Sequence, residues 1–322
     1  GIKKIDTATG AGLLPEGKTF SNLLQEIAEI QPGLKTGYEK LDSFIRIAPA
    51  AMTLIAGRTS HGKTTFMFNL MLNMSQANLN KRFYFFTFEE PTRNIIVKLL
   101  NREIRRDLNR YYHTATEEVH TNYEFLKDYI RTGRDDIKEI EHGKHRLQEL
   151  IDSERITIID KNYTVEELYS AISYLNSKYP IGAVFIDYIQ RMRTERRTQD
   201  KRTEIAHISD IVLQTAKDTG LPIILGAQLN RGATNETGDK RPRLEHLKEA
   251  GNLEEDANLV LSVYQEAREK EQDDTGAQYT DTSEVVLEIK ALKNREGQTN
   301  KTEKLGFDRY TGFIDNEAPT IE

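Results

Sequence analysis

The chain has 322 residues, of which 37% are hydrophobic and 30% are charged, and its net charge is −6. These values are typical of a globular protein with a large solvated surface. They exclude a generally basic nucleic-acid-binding protein, but not one that confines positive charge to a groove or channel. The absence of cysteine excludes disulfides and thiolate metal sites. No apolar run approaches the roughly 18 residues of a membrane span and no signal-peptide pattern is found, so we expect a cytoplasmic protein with no membrane partner.

The first predicted element is a short helix. Residues 1–18 are rich in Gly, Thr and Lys and are expected to be flexible. The apolar residues that follow have helical spacing, and Pro32-Gly33 ends the helix. We therefore expect a flexible segment and a linker helix over 1–32, followed by one domain over 33–322. The sequence leaves open whether the helix docks onto a neighbouring subunit or onto its own domain. Its apolar residues are Phe20, Leu23, Leu24, Ile27 and Ile30.

From residue 33 onward, short apolar strands alternate with helices. This order predicts an α/β fold in which helices flank a mostly parallel central sheet. Near the C-terminus, two strands around a turn at Glu296-Gly297 instead predict an antiparallel pair. The polar, helical stretch 92–155 has no assigned function. The predicted strands are Met52–Ala56, Phe83–Phe88, Ile156–Ile159, Ala183–Ile186, Ile223–Gly226 and Leu259–Val263, and the antiparallel pair is Val285–Leu292 with Lys304–Phe307.

A phosphate-binding loop follows the first of these strands. Residues 57–64, GRTSHGKT, match the Walker A pattern and lead into a predicted helix over Thr65–Asn78. In such a loop the backbone N–H groups surround the phosphates, and the helix N-terminus adds positive partial charge. We expect Lys63 to reach the β- and γ-phosphates and Thr64 to bind Mg²⁺, so ATP and Mg²⁺ are the expected ligands. The predicted nucleotide-binding residues are Gly57, Arg58, Thr59, Ser60, His61, Gly62, Lys63, Thr64 and Thr65.

Acidic residues follow two other predicted strands. Asp187 ends the fourth strand, as in a Walker B segment, and is expected to hold Mg²⁺ through its water shell. Glu89 and Glu90 follow the second strand, at the edge where parallel sheets bind their ligands. Either glutamate could be the base that orients the attacking water. The alternative is that both are solvated acids preceding Pro91.

The fifth predicted strand is also followed by polar side chains, those of Gln228, Asn230 and Arg231. An amide at this edge, such as that of Gln228, could hydrogen-bond the γ-phosphate and report its loss. The alternative interpretation is an ordinary surface loop.

Together these motifs resemble the C-terminal ATPase domain of the DnaB family of replicative helicases. The resemblance covers about 33–315 and implies a RecA-like P-loop fold. Within it, the match of Phe85–Glu89 to the family's catalytic strand selects Glu89 over Glu90 as the base. A glycine-rich turn usual before the first strand is replaced here by Ser43–Ala50, which contains no glycine. The other matching blocks are Gly33–Asp42, Gly57–Thr64, Ile186–Gln190, Gly226–Arg231, Arg241–Ala257 and Lys293–Gly297.

The resemblance also implies roles for residues whose spacing in the sequence does not by itself indicate a function. Lys293 and Arg295, called here the trans pair, match basic residues that reach the γ-phosphate bound by the adjacent subunit. The alternative is an exposed hairpin tip with ordinary surface charge. Residues 248–252, called here the DNA-holding loop, match a segment that grips DNA phosphates through Lys248, Glu249 and Gly251, although the family usually has arginine where Lys248 stands.

A basic run follows Asp187 and includes Arg193, Arg196 and Arg197. In the family this loop lies toward the DNA channel, which would direct positive charge onto single-stranded DNA. A solvated charge run is the alternative.

The resemblance implies an ATP-dependent homo-hexameric helicase that translocates 5′ to 3′ on single-stranded DNA in a central channel during DNA replication. Its implied partners are a helicase loader and a primase. A second hypothesis is a DnaB-like ATPase that assembles on DNA or on a replication partner without unwinding. A recombinase of the RecA branch is disfavoured by the block Arg241–Ala257. A measurement of duplex unwinding would distinguish the first two hypotheses, which the sequence alone does not distinguish.

Overall fold

The structure, a computed structural model, describes residues 19–29, 32–111, 123–229, 240–250, 252–273 and 284–319. The chain divides into two units, Gly1–Gly33 and Leu34–Glu322. In the first unit, helix α1 spans Phe20–Glu29, as the apolar spacing predicts. The Thr19 hydroxyl accepts a hydrogen bond from the backbone N–H of Asn22 at 3.3 Å, and so caps the start of this helix.

Within the described residues, the second unit is built on a nine-stranded sheet. The strands are β1 Met52–Gly57, β2 Arg82–Thr87, β3 Ile156–Ile159, β4 Ile181–Asp187, β5 Ile223–Gln228, β6 Leu259–Tyr264, β7 Glu284–Asn294, β8 Thr302–Asp308 and β9 Ile314–Asp315. Their order across the sheet is β3-β2-β4-β5-β1-β6-β7-β8-β9. Strands β1 to β6 pair in parallel, whereas β7, β8 and β9 are antiparallel. The prediction of a mostly parallel sheet ending in an antiparallel pair is thus confirmed.

Helices cover both faces of this sheet, which explains why the central strands are continuously apolar. The helices are α2 Glu39–Asp42, α3 Lys63–Ala77, α4 Thr92–Tyr111, α5 Tyr123–Arg131, α6 Lys138–Asp152, α7 Val165–Lys178, α8 Lys201–Thr219, α9 Leu253–Asp256 and α10 Glu266–Asp273. Short 3₁₀ turns span Ile189–Arg191 and Leu244–Ala250. In the part of the chain that the structure describes, no helix is both long and apolar enough to cross a membrane.

Two hydrophobic cores lie on opposite faces of the sheet. Side chains of successive strand residues point to opposite faces of a sheet. In β2, Phe85 therefore packs in the first core and Phe86 in the second. The stretch 92–155, to which the sequence assigned no function, contributes Leu100, Leu126 and Ile140 to the first core. Helices α4 to α6 are therefore part of the folded domain rather than an appended segment.

The register of the parallel strands brings the chemically active residues to one edge. Gly57 at the end of β1 is level with Gln228 at the end of β5, and Thr87 at the end of β2 is level with Asp187 at the end of β4. Since β4 pairs with β5, the carboxyl ends of all four strands meet. This is the edge at which open parallel sheets bind ligands.

Some element boundaries differ from the sequence expectation. Strand β2 begins one residue earlier than predicted and ends at Thr87, so Phe88 lies outside it, where its N–H donates to the Asp187 carbonyl at 2.9 Å. At Ala50, in the turn before β1, the backbone has a left-handed φ of 51°. This conformation favours glycine, whereas the turn Ser43–Ala50 contains none.

Candidate active site

A cavity of about 180 Å³ opens at the shared edge of β1, β2, β4 and β5. It brings together most of the residues that the sequence singled out for nucleotide chemistry. The lining residues are Gly57, Arg58, Thr59, Ser60, Gly62, Lys63, Thr64, Thr65, Glu89, Tyr188 and Gln228.

The floor of this cavity is the loop between β1 and α3. Ser60 and Gly62 adopt left-handed backbone angles, with φ of 65° and 89°, which turn the chain sharply before α3 begins at Lys63. The first N–H groups of a helix have no partners within the helix, and they carry positive partial charge. The loop and the N-terminus of α3 can therefore bind an anion of phosphate size.

Lys63, Thr64 and Asp187 form the charged centre of the cavity. The Thr64 hydroxyl donates to Oδ2 of Asp187 at 2.5 Å, and Nζ of Lys63 lies 3.5 Å from Oδ1 of the same carboxylate. Burial lowers the pKa of Lys63, and this effect is opposed by the charge of Asp187. The ammonium group also lies 4.0 Å from the centre of the Tyr188 ring, a cation–π contact.

Thr64 and Asp187 fit a hydrated divalent cation. Oδ1 of Asp187 is buried and, among the described residues, accepts no hydrogen bond. A hydroxyl oxygen beside a carboxylate supplies the hard oxygen ligands that Mg²⁺ prefers, and the remaining positions would be filled by water and phosphate oxygens. Thr64 and Asp187 could therefore hold the metal that the sequence predicts.

The two glutamates after β2 have different surroundings. Glu89 lines the cavity, and its Oε1 lies 3.9 Å from Nη2 of Arg191. Glu90 is turned away toward α4, where Nζ of Lys98 donates to its Oε2 at 2.7 Å. Geometry and the resemblance thus favour the same residue, Glu89, as the group that faces a bound nucleotide.

Gln228 is held at the cavity wall by two contacts. Its side-chain Nε2 donates to the Thr59 hydroxyl at 2.7 Å. Its backbone is clamped by the Gln190 amide, which donates to the Gln228 carbonyl at 2.9 Å and accepts from its N–H at 3.1 Å. Gln228 thereby connects the phosphate loop with the turn that follows β4. Asn230 and Arg231, which the sequence grouped with Gln228, lie outside the described residues.

Two predicted nucleotide-binding residues turn their side chains away from the cavity. The guanidinium of Arg58 forms a buried ion pair with Glu269 of α10. His61 is buried behind the loop, where its Nδ1 accepts from the N–H of Gln265 at 3.1 Å and its Nε2 lies 3.2 Å from Oε1 of Glu269. Burial lowers the pKa of His61 to about 4, opposed by Glu269 and reinforced by Arg58. Both side chains are therefore engaged by Glu269.

The trans pair lies outside the cavity. Lys293 donates to the carbonyls of Glu254 and Glu255, and Arg295 donates to the carbonyl of Glu255. The cavity formed by one chain therefore lacks both cations among its lining residues.

The predicted DNA-binding residues are also separate from the cavity. Arg193, Arg196 and Arg197 are exposed in the loop before α8. Within the described ranges, none of the three forms an ion pair. The side chains of Lys248 and Glu249, and the whole of Gly251, lie outside the described residues.

Three contributors to the site were given no individual role by the sequence. They are Tyr188, Gln190 and Glu269, which contact Lys63, Gln228 and Arg58 respectively. Arg191, which belongs to the predicted basic run after Asp187, instead lies beside Glu89. Tyr188, Gln190 and Arg191 lie within four residues of Asp187, so their nearness to the Walker B aspartate was an available signal. Glu269 lies 211 residues from Arg58, and no local pattern connects the two.

Comparison with known proteins gives a consistent result. A family model described as the DnaB-like helicase C terminal domain matches residues 33–315. The replicative DNA helicase DnaB of Haemophilus influenzae is 28% identical over 303 residues, covering 90% of this chain and 56% of that protein. The corresponding protein of Buchnera aphidicola subsp. Schizaphis graminum is 29% identical over 287 residues, covering 88% and 55%. The chain thus spans a little over half the length of these relatives.

Solved structures share the fold. One of them, described as an ATPase domain, superimposes with a TM-score of 0.75 at 23% identity, covering 94% of this chain and 100% of that domain. A DnaB-like replicative helicase, solved in a study of its interactions with primase, gives a TM-score of 0.72 at 23% identity, covering 94% and 67%. The predicted RecA-like fold is confirmed by these similarities.

Proposed function

The chain belongs to the DnaB-like helicase C terminal domain family, and from this membership we propose that it is the ATP-hydrolysing motor of a replicative DNA helicase. In this proposal it hydrolyses ATP with Mg²⁺, assembles as a homo-hexamer, and moves 5′ to 3′ along single-stranded DNA in the central channel. The observation that carries the proposal is the convergence of Lys63, Thr64, Asp187 and Glu89 on one cavity at the sheet edge.

Each of these residues has a distinct task in phosphoryl transfer to water. The backbone of the loop and Lys63 bind the phosphates, because their N–H groups and positive charge face the cavity. Thr64 and Asp187 would hold Mg²⁺, which would supply positive charge to neutralise the phosphates. The buried position of Lys63 strengthens its interaction with phosphate, since little water screens it.

Glu89 orients and deprotonates the attacking water. Its carboxylate lines the cavity, while the contact with Arg191 keeps it near the phosphate loop. Gln228 binds the γ-phosphate side of the nucleotide through its amide. Because its backbone is clamped by Gln190, a change at the γ-phosphate is passed directly to the turn after β4.

A single chain supplies an incomplete site, because the trans pair is not among the residues that line its own cavity. We infer that Lys293 and Arg295 of one subunit complete the site of the next, where they stabilise charge that develops on the γ-phosphate. Trans-acting arginines are worth roughly 10³–10⁵ in rate in other NTPases. This requirement favours a closed ring over an isolated motor.

In this ring, exposed Arg193, Arg196 and Arg197 and the DNA-holding loop bind DNA phosphates. Positive charge confined to these segments reconciles DNA binding with a net charge of −6. A helicase loader and a primase are proposed partners. Support for the primase comes from the structural neighbour that was studied in its interactions with primase.

Strand separation on forked duplexes tests the function. With ATP and Mg²⁺, the protein should unwind a fork carrying a 5′ single-stranded tail and leave a fork with only a 3′ tail intact. Lys63→Ala serves as the matched inactive protein. ATP hydrolysis and DNA binding without any strand separation would instead support the second hypothesis, an ATPase that assembles on DNA without unwinding. The absence of hydrolysis with any DNA would refute both.

A further inference from the structure

The trans pair is held by a short helix that directly follows the DNA-holding loop. Nζ of Lys293 donates to the carbonyl of Glu254 at 2.5 Å and to that of Glu255 at 3.2 Å, and Nη2 of Arg295 donates to the Glu255 carbonyl at 2.6 Å. The backbone N–H of Arg295 also donates to the Asn258 carbonyl at 3.0 Å. Both cations thus depend on the position of α9, Leu253–Asp256.

The carbonyl groups that bind these cations are those that α9 leaves unused. Within the helix, the N–H of Asp256 bonds to the Asn252 carbonyl and the N–H of Ala257 bonds to the Leu253 carbonyl. The carbonyls of Glu254 and Glu255 come next in order at the end of the helix, and the next N–H along the chain, that of Asn258, donates to the Met52 carbonyl instead. Cationic side chains are favourable partners for such groups.

Two contacts fix α9 itself. Leu253 is buried in the second core together with Leu247, so buried leucines stand on either side of the DNA-holding loop. The hydroxyl of Ser209, on α8, donates to Oδ2 of Asp256, the last residue of α9. Ser209 is fully buried and Asp256 is half-buried, so water does not reach the donor and the Ser209 hydroxyl depends on Asp256 as its acceptor.

We propose that Ser209 and Asp256 are positioning residues for the trans pair, and that α9 mechanically joins the DNA-holding loop to it. Ser209 and Asp256 hold α9, the carbonyls of α9 hold Lys293 and Arg295, and the loop that grips DNA lies immediately before α9 in the chain. A shift of the loop on DNA then moves the pair relative to the neighbouring nucleotide. The proposal rests on the proposed function, since it assumes that the pair acts in trans.

The charges near the pair make such support necessary. Lys293 and Arg295 repel each other, and burial together with Arg295 lowers the pKa of Lys293. The shared Glu255 carbonyl partly offsets this repulsion by accepting from both side chains. If α9 moves, the two cations lose that common acceptor and their separation is no longer fixed.

The first test removes the support without touching the pair. Ser209→Ala should lower kcat for ATP in assembled rings with single-stranded DNA by about tenfold, with KM for ATP unchanged, because the subunit's own phosphate loop is intact. Ser209→Thr, which keeps the hydroxyl, should restore the rate. Asp256→Ala, which removes the acceptor, is an independent variant and should lower kcat in the same way. Asp218→Ala is the matched control, since Asp218 accepts from the Tyr169 hydroxyl at 3.0 Å at the C-terminal end of α8, the helix that carries Ser209.

Mixed rings identify which half of the site is damaged. Lys63→Ala with Arg295→Ala is the reference pair, and its failure to recover activity despite co-assembly would refute the trans assignment in the proposed function. If the reference pair recovers, Ser209→Ala should recover activity when mixed with Lys63→Ala, which supplies an intact trans pair. It should not recover with Arg295→Ala. Recovery with Arg295→Ala, or with neither partner, would overturn the positioning proposal.

Discussion

The hydroxyl of Thr64 and the carboxylate of Asp187 share a hydrogen bond of 2.5 Å across the active-site cavity. Thr64 lies in α3, the helix after β1, and Asp187 ends β4; these two strands are separated in the sheet by β5. Their contact therefore depends on the strand order and not on nearness in sequence. The other oxygen of Asp187 is left to Lys63 and to whatever enters the cavity.

Lys63→Ala should abolish ATP hydrolysis and most nucleotide binding. The substitution removes the ammonium group that lies 3.5 Å from the buried Asp187 carboxylate, and within the described residues leaves that charge without its ion-pair partner. We expect steady-state hydrolysis to fall by at least about 10²-fold and the affinity for a fluorescent ATP analogue to fall with it. Lys98→Ala, at an exposed lysine that pairs with Glu90, is the control. Hydrolysis by Lys63→Ala within threefold of the unmodified chain would contradict the assignment.

Glu89→Gln should retain nucleotide binding and lose turnover by roughly 10²–10⁴-fold, the usual contribution of a general base. The change keeps the size of the side chain and leaves the phosphate loop untouched. Glu90→Gln should retain turnover, because Glu90 is engaged with Lys98 and not with the cavity. Binding and single-turnover hydrolysis should be measured on both variants. An inactive Glu90→Gln with an active Glu89→Gln would reverse the two roles.

The sequence predicted the parallel sheet and the phosphate loop because each is determined by residues that are neighbours in the sequence. Strands such as β1 are continuous apolar runs, and the glycine and lysine spacing of the loop is fixed by the phosphates that it surrounds. Neighbouring residues do not determine whether Glu89 or Glu90 is the catalytic base. It depends on where Lys98 of α4 lies, and residues alone left it open until the family resemblance was considered.

The side chains of Arg58 and His61 could not be predicted in the same way. Their partner Glu269 comes from α10, more than two hundred residues away, and the contact forms only when β6 pairs with β1. Membership of a motif indicated that both residues lie at the nucleotide. It could not indicate that their side chains face the opposite side of the loop.

Gly226→Ala should impair hydrolysis by displacing Asp187. A methyl group at Gly226 would lie 2.8 Å from Oδ1 of Asp187 and 3.3 Å from Cβ of Tyr188, both closer than ordinary contact. We expect kcat to fall and the Mg²⁺ concentration needed for half-maximal rate to rise. Gly133→Ala is the control for a general loss of stability: its methyl group meets nothing within 4 Å but is strained by the left-handed φ of 67°, and its Mg²⁺ dependence should not change. Unchanged Mg²⁺ dependence in Gly226→Ala would show that the carboxylate is not displaced.

Ala50→Gly should stabilise the domain. The left-handed backbone of Ala50, with φ of 51°, costs a residue with a side chain roughly 1–2 kcal/mol. Part of this gain is offset because glycine makes the unfolded chain more flexible, so a net gain of about 0.5–1 kcal/mol is expected. Thermal unfolding should show a small rise in Tm. Ala51→Gly, without a left-handed backbone to relieve, should lower Tm instead, and equal effects at both positions would refute the argument.

The pH dependence of stability should carry a contribution from His61. Burial lowers the pKa of this histidine from its ordinary value of 6.5 to about 4, so the folded protein keeps it neutral over that range while the unfolded chain takes up a proton. The unfolded state therefore gains stability from protonation that the folded state does not. The free energy of unfolding should fall as the pH drops from 6.5 toward 4, with no further contribution from His61 below that value.

His61→Asn should make this dependence shallower. Asparagine does not titrate, and its side-chain oxygen can still accept from the N–H of Gln265, as Nδ1 of His61 does at 3.1 Å. The loss of unfolding free energy on acidification should be smaller in His61→Asn by at most about 3 kcal/mol. Urea unfolding at a series of pH values measures this difference. His142→Asn is the control, because His142 is exposed and lies on α6, away from the phosphate loop. If His61→Asn and the unmodified chain lose stability with the same slope between pH 6.5 and 4, the buried imidazole is not kept neutral by the fold.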